Sequence, residues 1–258
     1  MALEKHSKIY YDYLVTSENR YFDFQVGIDV HVVSLALGSY TPSQLAVELS
    51  SKINELLSSS YTVSFNRVDR KFTIANATNF SILFSSGVNA SRSIASVLGF
   101  NSTDLTGTNT YTSQNSSGKV YTTQFYFQSY KSTTQNRKAI DGVVNKSASG
   151  KVEVVKFGNE RFMEGELLFI TDLIQDNVSI IRTNTSGVSD YLSLIEWLTE
   201  KAPVEIMIDE NNPEEFQTFI LESTEQDSKG LDYELIELYE RSLPLYYRSG
   251  KLKFKLTE

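Results

Sequence analysis

Residues 61–74 read Tyr61-Thr62-Val63-Ser64-Phe65-Asn66-Arg67-Val68-Asp69-Arg70-Lys71-Phe72-Thr73-Ile74. Tyr61, Val63 and Phe65 alternate with Thr62, Ser64 and Asn66, and on the return Phe72 and Ile74 alternate with Lys71 and Thr73. A period of two sends successive side chains to opposite faces of a strand. The stretch is therefore a β-hairpin with one apolar face. Arg67 to Arg70 is its polar turn, and Asp69 supplies the turn chemistry.

Just upstream the period changes to that of a helix. Thr41 is a fitting N-cap and Pro42 fits the first helical position, where a missing N–H does no harm. Leu45, Leu49, Ile53 and Leu56 then recur at helical spacing through Leu57, and Ser58 to Ser60 end the run. Before this helix, Tyr21–Val26 and Val30–Leu37 read as strands. After the hairpin come a strand at Phe80–Phe84 and a short helix over Ser91–Leu98, with Gly99 at its C-terminal cap. Residues 101–118 are rich in Ser, Thr, Asn and Gly and read as a long loop, which length priors mark as either functional or mobile. Val120–Tyr130 returns to strand, and Lys131–Arg137 reads as a polar linker.

The second half repeats the style without repeating the sequence. Lys151–Phe157 and Arg161–Ile170 are strand candidates around Gly158-Asn159, with another short one at Val178–Arg182. Val188, Tyr191, Leu192, Ile195 and Leu198 form a second amphipathic helix. Val204, Ile206 and Ile208 alternate, as do Phe216, Thr218 and Ile220. Leu231–Leu238 changes phase near Leu235-Ile236, as at a bulge. Leu252, Phe254 and Leu256 alternate with Lys251, Lys253 and Lys255. The regular strand–helix alternation of a parallel α/β sheet is missing. The predicted fold class is β-dominated α+β: two antiparallel β-sandwich or barrel-like domains, each with one main amphipathic helix. The expected domains are 1–132, with its helix near 42–57, and 150–258, with its helix near 188–200. Residues 133–149 are the expected linker or hairpin connection.

Composition supports a packed, strand-rich chain. Of 258 residues, 40% are hydrophobic, and the aromatic share comes from 15 Tyr and 15 Phe, types suited to pleated, half-buried surfaces. The net charge of −8, with no basic run, argues against specific nucleic-acid binding. Cysteine is absent, which removes disulfides and thiolate metal sites. No stretch approaches a membrane span, and Met1 to Tyr13 mixes charged and aromatic residues instead of forming an apolar leader segment. The eight Asn-x-Ser/Thr sequons, at Asn76, Asn79, Asn89, Asn101, Asn115, Asn145, Asn177 and Asn184, read as by-products of a Ser/Thr/Asn-rich sequence. Synthesis in a cytoplasm is the expectation.

Motifs with chemistry fail on spacing. The two histidines, His6 in an expectedly mobile terminus and His31 in a strand, have no HExxH or HxH context, and no GxSxG elbow offers a nucleophile. Three Ser-Gly-Lys turns, at Ser117-Gly118-Lys119, Ser149-Gly150-Lys151 and Ser249-Gly250-Lys251, lack the P-loop glycine five positions upstream. Ser113, Asn145 and Leu245 stand there. The acidic run Asp209-Glu210-Asn211-Asn212-Pro213-Glu214-Glu215 lacks the EF-hand order and reads as an exposed turn. Glu222, Glu225 and Asp227 are a grouping expected among 32 acids. In the Tyr10-Tyr11 and Tyr246-Tyr247 pairs, one member is expected in the core and the other exposed. No catalytic, cofactor-binding or metal-ligating residues are assigned, and no cofactor.

The order Gly38-Ser39-Tyr40-Thr41, Leu45 to Leu57, Tyr61-Thr62-Val63-Ser64, Lys71-Phe72-Thr73-Ile74, Phe80-Ser81-Ile82-Leu83-Phe84, Gly87, Asn89-Ala90, Ser93-Ile94-Ala95, Leu98-Gly99-Phe100 and Asp104-Leu105-Thr106-Gly107 resembles a module common in virion structural proteins of tailed bacteriophages. From Gly150-Lys151-Val152-Glu153 through Phe157-Gly158 to Leu221-Glu222-Ser223 the chain is similar in style to phage tail proteins near the tube end. The resemblance implies a non-enzymatic virion protein of the tail: a distal tail protein of the baseplate hub region, forming a hexameric homo-oligomer ring between tube and tip, with tube and hub subunits as partners. A tail tube or tail completion subunit, or a virion carbohydrate- or receptor-binding module, is the alternative. The expected contact loop is 101–118, and deleting residues 106–116 is expected to leave a folded monomer that assembles poorly.

Overall fold

The computed structural model describes residues 6–57, 60–126, 136–139, 143–146, 152–155, 159–168, 174–175, 178–179, 191–207, 215–222, 233–235, 247–249 and 252–257. The chain begins with β1 (His6–Tyr11), β2 (Tyr13–Val15), β3 (Tyr21–Val26), β4 (Asp29–Ser34) and β5 (Gly38–Tyr40). These are followed by α1 (Pro42–Leu57), β6 (Thr62–Asn66), β7 (Lys71–Ile82), α2 (Ala95–Leu98), β8 (Leu105–Thr112) and β9 (Lys119–Tyr126). Then come β10 (Asn136–Ala139), β11 (Val143–Lys146), β12 (Val152–Val155), β13 (Asn159–Leu168), β14 (Ile174–Gln175) and β15 (Val178–Ser179). The last elements are α3 (Tyr191–Thr199), β16 (Val204–Met207), β17 (Phe216–Leu221), β18 (Tyr233–Leu235), β19 (Tyr247–Ser249) and β20 (Leu252–Leu256). Strands dominate and the pairings with a described register are antiparallel, which is the expected β-rich α+β class. Two compact units divide the chain: Tyr10–Val120 with Pro203–Glu205, and Met1–Ile9 with Tyr121–Ala202 and Ile206–Glu258. The expected junctions at 132 and 150 fall on residues outside those described.

The first unit is built on the hairpin. β6 and β7 pair with Val63 opposite Ile74 and Phe65 opposite Phe72, so the apolar face of the alternation points one way. β7 runs without a break from Lys71 to Ile82 and joins two segments that read as separate strands in the sequence. Its first half pairs with β6 and its end pairs with β3, which in turn pairs with β4. β8 covers the other edge of β7. α1 packs against β4, β5 and β6, burying Leu45, Ala46, Leu49 and Ile53. Its start is a reciprocal capping box: the Gln44 N–H donates to Thr41 Oγ1 at 3.2 Å, and the Thr41 N–H donates to Gln44 Oε1 at 3.0 Å. Aromatic rings line the core in edge-on contacts, Phe24–Tyr61 at 5.9 Å, Tyr61–Phe80 at 5.1 Å and Phe80–Tyr111 at 5.0 Å. Each such pair adds on the order of 1 kcal/mol beyond area burial.

Several local expectations are corrected here. The region 101–118 is not a long loop, because Leu105–Thr112 is strand β8. Its register against β7 shifts between Ala75 and Phe80, which scrambles the period that would have announced a strand. The buried Tyr111 secures the shift, donating its hydroxyl to the Phe80 carbonyl at 2.7 Å and accepting the Thr108 N–H at 3.2 Å. The expected helix over Ser91–Leu98 is one 3₁₀ turn (Ala90–Arg92) and the four-residue α2. Gly99 does cap α2, at φ 79°. β4 stops at Ser34 instead of Leu37, and His6 opens strand β1 instead of lying in a mobile terminus.

The second unit carries most of a seven-stranded sheet of order β10-β13-β20-β17-β16-β1-β9. β13 also pairs with β9, with Leu167 opposite Phe125, so six of the strands pair in a closed circle. β10 takes the other stretch of the same edge of β13, with Asn136 opposite Phe162. Closure removes the free edges of those six strands. Leu252 and Phe254 of β20 are buried, as their alternation with lysines predicts. α3 lies within the expected second helix and buries Leu194 and Leu198. Among the described residues no helix is long and apolar enough to cross a membrane.

Candidate functional site

A charged cluster gathers where the hairpin turn meets the start of α1. Arg67, from the β6–β7 turn, directs Nε and Nη2 at Glu205 Oε1, both at 2.6 Å. Its Nη2 also donates to Ser43 Oγ at 2.9 Å. The Ser43 N–H, one of the unpaired donors of the first helical turn, points at Glu205 Oε2 at 3.4 Å. A carboxylate is favoured there by the helix dipole as well as by the guanidinium. Tyr10 donates its hydroxyl to the Arg67 carbonyl at 3.0 Å. Burial pushes the Tyr10 phenol up to about 12, with nearby Arg67 opposing and Glu205 adding to the rise. Both carboxylate oxygens of Glu205 face protein donors. As built, the cluster locks the turn to the helix.

A second polar centre holds the loop after β7. Asp23 is buried on β3 and accepts the Asn89 N–H at 2.7 Å and Asn89 Nδ2 at 3.1 Å. A Cβ at position 87 would lie 2.5 Å from Asp23 Oδ2, so only glycine lets this loop close over the carboxylate. Asp104 accepts the Ser85 and Ser86 N–H groups at 2.7 and 3.1 Å. Desolvation pushes its carboxyl up, but hydrogen bonds from Ser86 and Ser85 outweigh that and lower it to about 2.

The residues singled out in the sequence are scattered. His31 is on β4 with its ring 5.4 Å from that of Phe24. The His6 side chain lies outside the described residues. Ser117-Gly118-Lys119 leads into β9, and Gly118 has φ 54° with its missing Cβ aimed at the Tyr13 ring, which makes it a tight turn. Ser149-Gly150-Lys151 and Gly250-Lys251 lie outside the described residues, as do 209–214, Glu225, Asp227 and Tyr246. Glu222 pairs with Lys253 at 2.5 Å across β17 and β20. Tyr10 and Tyr11 are both buried, against the expectation that one would face solvent, because both faces of β1 are covered there: Tyr10 packs on Phe65, and Lys119 lies over Tyr11. Among the described residues no three His, Cys, Asp or Glu side chains converge as a metal site would need.

Arg67, Glu205 and Asp23 were missed in the sequence. Arg67 looks like one polar turn residue among four, and its partner is 138 positions away. Glu205 interrupts an apolar run in which every residue of β16 is buried, which is the one signal that could have exposed it. Compared with known proteins, the sequence matches no family model and no curated protein.

Proposed function

We propose that this chain is a non-enzymatic structural subunit of a bacteriophage tail: a distal tail protein that assembles as a ring between the tail tube and the tip, made in the host cytoplasm and carried in the virion. The observation that carries the reading is the resemblance between Gly38 and Gly107. Those residues contribute α1, the β6–β7 hairpin, α2 and the start of β8 to a single core, so the likeness covers a coherent packing unit and not scattered turns. The polar clusters support the same reading. Arg67–Glu205, Asp23–Asn89 and Asp104 spend their hydrogen-bonding capacity on backbone and side chains that fix loops.

Ring subunits need rigid faces that repeat around an axis and pairing surfaces left open in the isolated chain. Electron microscopy of intact particles with a labelled antibody against this protein tests the reading. It predicts label where the tail tube meets the tip. Label on the head, or label absent from purified particles, contradicts it.

A further inference from the structure

Among the described residues of the first unit's sheet, β4, β6 and β8 each have a single strand partner, and of these β6 is the one that α1 packs against most closely. β4 pairs with β3 on one side, and β8 pairs with β7 on the other. Among the described residues neither strand has a second partner. Both are solvent-accessible along most of their length. An open edge offers a row of backbone donors and acceptors, and natural proteins usually guard it with lysine, proline or a covering element. β4 carries neither lysine nor proline: it reads Asp29-Val30-His31-Val32-Val33-Ser34, with Val30 at 51% and Val32 at 41% exposure on the face away from the core. β8 reads Leu105-Thr106-Gly107-Thr108-Asn109-Thr110-Tyr111-Thr112 and holds no charge and no proline.

Ile28 at the tip of the β3–β4 turn is 90% exposed. Val88 is 85% exposed and adjoins Asn89, which Asp23 holds over the same outer face, and Asp23 is the register partner of Val32. These side chains leave large apolar residues exposed beside the β4 edge.

We infer that β4 and β8 are the two halves of one subunit interface, with β4 of one copy adding to the β8 edge of the next copy to continue the sheet from subunit to subunit. This rests on the ring reading above and names the surface that would build the ring. Strand direction supports a second copy as the occupant. β3 is antiparallel to both β4 and β7, and β7 is antiparallel to β8, so β4 and β8 run in opposite senses. A copy rotated about an axis therefore brings its β4 to the previous β8 in the antiparallel pairing that the sheet already uses. Charge agrees, since Asp29 is the only acid or lysine/arginine on either strand and no like charges face each other.

The cysteine-free sequence makes the test clean. Outer-face positions Val30 and Val32 on β4, and Thr110 and Thr112 on β8, are replaced by cysteine in the full chain, in the four pairwise combinations and as four single variants. Mild oxidation, denaturing electrophoresis and native mass measurement follow. The expected result is disulfide-linked ladders of two, three and more chains in at least one β4/β8 double variant, with the native assembly mass retained. Val30→Cys or Val32→Cys alone giving efficient dimers would mean β4 pairs with itself and would overturn the inference. An assembled ring with no crosslink in any combination overturns it while leaving the ring reading intact. A wild-type chain that remains a monomer overturns both.

Discussion

Replacing Arg67 with methionine removes the guanidinium that faces Glu205 with two contacts of 2.6 Å. Glu205 is then left 2% exposed, with the Ser43 N–H at 3.4 Å as its remaining donor in the cluster. Orphaning one partner of a buried ion pair costs about 3–5 kcal/mol. The opposite change is milder. Glu205→Gln keeps an acceptor oxygen in place, and Arg67, at 27% exposure, can complete its solvation with water. Loss of charge assistance alone costs about 1–2 kcal/mol. The double variant Arg67→Met/Glu205→Leu leaves no buried charge and should lie within about 1 kcal/mol of Glu205→Gln, well below the sum of the single effects. Urea unfolding at neutral pH followed by circular dichroism measures all three, with an unchanged slope required for the comparison. Equal losses for the two single variants, or a double variant at the simple sum, would refute the reasoning, because either result means that the Glu205 charge does not depend on Arg67.

Tyr111→Phe removes the hydroxyl that bridges the Phe80 carbonyl and the Thr108 N–H across the register shift. The expected loss is about 1–2 kcal/mol, with faster amide exchange in peptides covering 105–112. For Asp104, a folded-state carboxyl lowered from the ordinary 3.8 to about 2 contributes stability that is present above pH 4 and lost as pH falls through 2. After discounting for solvent screening this amounts to about 1 kcal/mol. Asp104→Ala should therefore be less stable than wild type at pH 7, with the gap closing between pH 4 and pH 2, whereas a pH-independent gap would contradict the assignment. Deletion of residues 106–116 should unfold the first unit, not give the assembly-deficient monomer that the sequence suggested. It removes most of β8 together with the buried Tyr111 and Ser113, and loss of the native circular dichroism spectrum would report this.

What could be read from the sequence was set by local period. The hairpin at 61–74, the helix from Pro42 to Leu57 and the final strand each carry an unbroken pattern, because one face of each meets the core. β8 escaped because its partner strand carries extra residues between Ala75 and Phe80, and its polar face is a run of threonines that resembles a loop. β16 misled differently. Its alternation of Val204 and Ile206 implied a solvated face, yet Glu205 and Met207 are buried too. Of the polar centres, the Thr41–Gln44 capping box was half visible, in the N-cap assignment of Thr41. The Arg67–Glu205 and Asp23–Asn89 contacts join residues 138 and 66 positions apart, a distance that no periodicity spans. Closure of six strands into a circle likewise depends on β13 meeting β9, which the order of elements does not specify.

The native mass of the purified chain in solution is the most direct test of the central claim. A ring-forming tail subunit predicts one dominant assembly at six times the 29.2 kDa chain mass, seen as six-fold rings by negative-stain microscopy. A stable monomer or trimer, above all one that retains a glycan, would contradict it.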